Sequence, residues 1–114
     1  MAQAAYPVPA ARRGRLRIAD RVYAGIAARV AAQALAEAWR GRTERGRPPR
    51  ASVLVARGAV RITLHLDLPF PADVRALART TRDAVAQRVA ELTGSAVREV
   101  SVVVDHLLAR EPAG

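Results

Sequence analysis

Apolar and polar side chains alternate without a fault from Val60 to Leu68. Val60, Ile62, Leu64, Leu66 and Leu68 fall on one side, and Arg61, Thr63, His65 and Asp67 on the other. A period of two predicts a strand with one buried face and one wet face. The Pro69-Phe70-Pro71 stretch is expected to end it, because proline cannot donate to a sheet ladder. Ala51 to Ala56 reads as the preceding strand, with Arg57-Gly58 as a tight turn between the two. A later strand is predicted over Val97 to Val104. It sets Val100, Val102 and Val104 against Glu99 and Ser101, and Val103 breaks the alternation, so that face is expected to be partly covered. Leu107 and Leu108 are expected to pack at a sheet end. Arg15 to Ile18 is a shorter candidate, with Leu16 and Ile18 opposite Arg15 and Arg17.

Between these segments the spacing becomes helical. Val22, Tyr23, Ile26, Ala27, Val30, Ala34 and Ala38 form one broad stripe, and Arg29, Gln33, Glu37 and Arg40 group opposite. This predicts a helix capped by Asp20 and running to about Trp39. A second helix is predicted from Ala72 or Asp73, with Val74, Leu77, Ala78, Thr81, Val85, Val89 and Leu92 on one side. Gly94 stands where a left-handed C-cap belongs. The predicted order is strand, helix, strand, strand, helix, strand. One apolar stripe per helix and one apolar face per strand predict an α+β fold in two layers, a four-stranded sheet with two helices on one face. A split strand–helix–strand arrangement of ferredoxin type fits that order. The expected organisation is a flexible tail over residues 1–12, one domain over 13–108 and a flexible tail over 109–114.

Composition narrows the class. The chain has 114 residues, of which 51% are hydrophobic and 4% aromatic, and it contains no Cys. Disulfides, thiolate metal sites and cysteine nucleophiles are therefore excluded. A barrel enzyme or a full dinucleotide-binding fold needs far more chain. All 19 cations are Arg, which with the heavy use of Ala, Gly and Pro fits coding bias. The net charge of +9 is unevenly placed. Residues 1–57 hold twelve Arg against Asp20, Glu37 and Glu44, whereas residues 58–114 hold seven Arg and seven acids. One cluster is Arg12, Arg13, Arg15, Arg17 and Arg21. The other is Arg40, Arg42, Arg45, Arg47 and Arg50, in a stretch rich in Gly and Pro that reads as an exposed loop. These five loop arginines are the candidate contacts for an anionic partner; a solvated loop is the plainer use of the same charge.

Reactive constellations are scarce. His65 and Asp67 share a strand face, but a metal or acid–base site needs a third group in fixed geometry, and His106 beside Asp105 lies at the far end of the chain. Ser52, Ser95 and Ser101 lack the Gly-x-Ser-x-Gly turn, and no Gly-rich phosphate loop precedes a Lys. No catalytic residue, metal ligand or cofactor is expected. Tyr23, Trp39 and Phe70 are expected in the core or at its edges, although Trp39 beside the basic loop also suits a partner anchor. Sequence-independent nucleic-acid binding through the Arg-rich half is the competing reading, but the wet faces offer no Phe, Tyr or Trp for base stacking. No signal peptide or apolar membrane span is legible, so the expected location is cytoplasmic, with any membrane contact peripheral. Direct lipid binding by loop arginines without an apolar anchor is at most weak.

The segment Gly14-Arg15-Leu16-Arg17-Ile18-Ala19-Asp20-Arg21-Val22, followed by Ile26-Ala27 and Ala31-Ala32, resembles the opening of the alkaline shock protein family, envelope stress response proteins of Gram-positive bacteria. The likeness continues through Val53 to Leu68. It is best in Arg82, Val85, Val89, Leu92-Thr93-Gly94, Val97, Val100, Val102 and Val104. It covers about residues 14–108. The resemblance implies a small cytoplasmic domain without enzymatic activity or cofactor, held at the inner face of the membrane by a membrane-anchored protein partner and given to self-association. This chain departs from the family in two places. Arg40 to Arg50 replaces a short Gly-Val connection, and Pro69-Phe70-Pro71 stands where a Gly-containing loop is usual.

Overall fold

The computed structural model describes residues 17–110. The chain folds as two helices and a three-stranded mixed sheet in the order α1 (Asp20–Leu35), β1 (Arg50–Ala56), β2 (Ala59–Phe70), α2 (Val74–Thr93) and β3 (Ala96–Ala109). Tyr23, Ala27, Val30, Ala31 and Leu35 make the buried stripe of α1. Val22, expected in that stripe, is 44% exposed at its margin. Asp20 does not cap the helix. Ala19 holds the cap position without a side-chain bond, and Asp20 is the first helical residue, where its charge faces the positive end of the helix dipole. Regular helix stops at Leu35, and the chain continues to Gly41 in turns that place Trp39 in the core, 8% exposed.

Arg57 and Gly58 both adopt positive φ, +54° and +75°. That pair gives a two-residue turn whose twist matches the flanking strands. β1 then pairs antiparallel with β2, from Ala56↔Ala59 to Arg50↔His65. β2 does not stop before Pro69. It runs to Phe70, with Pro69 opposite Leu108 on β3. Beyond His65 the β1 side of β2 has no antiparallel partner, so a residue lacking N–H is accommodated at what is locally an edge.

α2 starts and ends as expected. The Asp73 carboxylate accepts the Ala76 N–H at 3.0 Å, and Gly94, at φ +71°, donates its N–H to Ala90. Leu92, assigned to the apolar side, is 55% exposed in the last turn. α2 returns the chain to β3, which lies parallel to β2 and directly beside it, so the sheet order is β1-β2-β3. A split arrangement sets another strand between two such partners, and the described residues do not form one. The four-stranded expectation rests on Arg15 to Ile18. Arg15 and Leu16 lie outside the described residues, and Arg17 to Ala19 belong to no strand, although Ile18 packs against the core. The expected 1–12 tail also lies outside them. β3 extends to Ala109, and Arg110 donates its N–H to the Phe70 carbonyl at 3.0 Å, so the sheet reaches past the boundary expected at residue 108.

Both helices cover one face of the sheet. Val60, Ile62, Leu64, Leu66 and Leu68 project from β2 into a core shared with Val85 and Val89 of α2 and the α1 stripe. Thr81, 1% exposed, has a hydroxyl with no hydrogen-bond partner there. A buried hydroxyl left unpaired is a cost that Val does not carry, so Thr81→Val is expected to stabilise the fold by about 1 kcal/mol. Urea denaturation should show a higher midpoint with an unchanged slope.

Candidate functional site

The side of the sheet away from the helices is open. Across it run Leu54, Arg61 and Glu99 in one row and Ser52, Thr63 and Ser101 in the next. These rows line a shallow depression of about 280 Å³. Leu54 is 61% exposed and Val103 on the same face 40% exposed.

The other end of this face carries the polar cluster. The register of β2 against β3 skips a residue between Leu66↔Val104 and Asp67↔His106, so Asp105 bulges from the ladder. The skip brings Asp105 and His106 both to the β2 side chains. His65 Nδ1 lies 3.2 Å from Asp105 Oδ1, and His106 Nδ1 lies 3.0 Å from Asp67 Oδ1. His65 and Asp67, which sequence spacing sets side by side, are thus each bonded to a residue of β3 and not to each other. With Nδ1 protonated, each ring donates to its carboxylate and keeps Nε2 unengaged. Arg50 completes the first pair with a 2.6 Å ion pair to Asp105.

Asp67 is not the wet residue that alternation predicts. It is 5% exposed, because the loop before β1 crosses over it. The Arg47 N–H donates to Asp67 Oδ2 at 2.9 Å, and Gly46 lies so close that a Cβ there would stand 2.8 Å from the same oxygen. Burial is the largest influence on this carboxyl and pushes its pKa up. The Arg47 N–H, the His106 ring and the Arg50 charge together outweigh it and hold the pKa below the ordinary value.

The five candidate arginines divide accordingly. Arg42 lies over the Trp39 ring, 5.7 Å from its centroid, and donates to the Leu108 carbonyl at 2.5 Å. It therefore ties the loop to the end of β3. Trp39 is held beneath it, not displayed as an anchor. Arg50 is bound to Asp105, and Arg40 makes a solvent-exposed pair with Glu37 at 3.0 Å. Arg45 and Arg47 have exposed side chains with no ion pair among the described residues. Sequence reasoning set Asp105 and His106 apart at the far end of the chain, whereas the structure brings them to His65 and Asp67, and it missed Gly46 altogether.

Chemically, the cluster is a brace: two carboxylates accept from two imidazoles, a guanidinium and a backbone amide. Among the described residues no group of three His, Cys, Asp or Glu side chains is placed to hold a metal ion. No described helix is long and apolar enough to cross a membrane. No family model, curated protein or solved structure matches this chain.

Proposed function

We propose that this chain is a non-enzymatic protein-interaction module of the alkaline shock type, serving the envelope stress response at the cytoplasmic face of the cell membrane. The observation that carries the reading is the open sheet face, where Leu54 stands 61% exposed on one outer strand and Val103 40% exposed on the other, farther along the sheet. Apolar side chains displayed on a rigid sheet favour a partner that covers them. The resemblance in Arg82, Val85, Val89 and Leu92-Thr93-Gly94 supports the same reading. The partner is a membrane-anchored protein, and self-association would use the same face. The loop does not favour a nucleic-acid role, since Arg42 and Arg50 already serve internal acceptors.

Fractionation of cells producing the chain tests this. The unaltered chain is expected with the membranes, and Leu54→Glu is expected to reduce that share about tenfold, the effect of losing one well-packed apolar contact. Lipid-only anionic vesicles should not float the chain. Recovery in the soluble fraction, flotation with bare lipid, or co-purification with nucleic acid alone would each overturn the reading.

A further inference from the structure

The outer edge of β3 is unpaired among the described residues, and α2 overhangs it. Between them runs a groove of about 380 Å³, floored by Val100 and Val102 and walled by Arg75, Arg79 and Arg82. The three arginines recur at helical spacing, so they form one ridge along the side of α2. Arg82 reaches only its exposed neighbour Asp83, at 3.2 Å, and Arg75 and Arg79 have no ion pair among the described residues. Counted by halves, the second part of the chain is neutral, but folding gathers these three cations beside a strand edge.

We propose that this groove binds an extended acidic peptide segment of a protein partner, added to the sheet as a strand next to β3. The inference rests on the interaction-module reading above and names the chemistry of the segment that module would take. An edge strand presents backbone donors and acceptors alternately, and another strand satisfies both kinds. A DNA backbone has acceptors for the N–H groups but nothing for the carbonyls, an RNA backbone has only its 2′-hydroxyls for them, and no aromatic ring lines the groove for a base to stack on. The charge sets the sign of the peptide. The spacing fits as well: Arg75 and Arg79 are about 6 Å apart along the helix axis. Side chains on one face of a strand repeat every ~6.6 Å, so alternate Glu or Asp residues would meet successive arginines.

The probe is a fluorescent octapeptide alternating Val and Glu, titrated against the full-length chain and followed by anisotropy and by amide NMR shifts. Saturable binding is expected, with the largest shifts at Val100 to Val102. The Gln-for-Glu version of the peptide should bind at least about tenfold more weakly, as should the chain carrying Arg75→Gln, Arg79→Gln and Arg82→Gln together. The replaced side chains are exposed, and circular dichroism confirms that the variant is folded. Equal binding of both peptides, shifts centred elsewhere, no binding at all, or displacement of the peptide by single-stranded DNA would overturn the proposal. If the triple variant still fractionates with membranes as the unaltered chain does, the groove is wrong and the module reading stands. If the unaltered chain does not reach the membrane, the module reading fails whatever the peptide does.

Discussion

Asp67→Ala is expected to lower the unfolding free energy by about 3 kcal/mol, the usual scale for removing a buried carboxylate that accepts charge-assisted hydrogen bonds. Its loss leaves the Arg47 N–H and the His106 ring without their acceptor, and it frees the loop from β2. The same carboxylate makes stability depend on pH. Its pKa in the folded chain is held below the ordinary 3.8. Its contribution is therefore full above the unfolded value and is lost as pH falls through the folded one. The unaltered protein should lose stability as pH falls below about 4, and Asp67→Asn should show a shallower acid limb over that window. Urea midpoints measured from about pH 6 down to about pH 2 read both quantities. Parallel acid limbs for the two proteins would show that Asp67 is not the titrating group.

This prediction falls where sequence and structure part company. The alternation of Val60 to Leu68, the Arg57-Gly58 turn, and the Asp73 and Gly94 ends of α2 were legible because each depends on local chemistry: a period, a positive φ, a short carboxylate beside a helix start. Asp67 obeys the same alternation in its backbone, yet it is buried. Its burial comes from loop residues 20 positions earlier, and no local pattern reports that approach. The bulge at Asp105 is equally silent, since it falls just past the Val100 to Val104 segment and the skip matters only against β2. Strand neighbours were illegible for a related reason. A helical connection fixes β2 and β3 as parallel far more readily than it fixes which strand lies beside which.

Charge shows the same limit. Five arginines between residues 40 and 50 read as one basic loop, but the side-chain partners of three of them, Arg40, Arg42 and Arg50, lie on two different segments. Glu37 follows α1, the Leu108 carbonyl and Asp105 belong to β3, and the Trp39 ring comes from the turns before the loop. The loop is thereby a strap across the end of the sheet. It leaves Arg45 and Arg47 outward on a backbone that Asp67 holds in place.

That strap makes the second large prediction. Gly46→Ala is expected to destabilise the fold by about 2–3 kcal/mol, the upper range for overpacking, because the new methyl would be driven into the Asp67 Cβ and stand 2.8 Å from its Oδ2. The atoms it meets are the root of a strand side chain and a carboxylate already engaged by Arg47 and His106, and neither has room to retreat. The cause is the close approach to Asp67, so its signature is the partner dependence. In an Asp67→Ala background the strand Cβ remains and most of the cost should persist. In an Asp67→Gly background both atoms are gone, and adding Gly46→Ala should cost under about 1 kcal/mol, leaving a coupling of roughly 2 kcal/mol in the double-mutant cycle. Chemical denaturation of the four proteins in that cycle measures it. An equal penalty for Gly46→Ala in the unaltered chain and in the Asp67→Gly background would mean that the loop does not lie against β2.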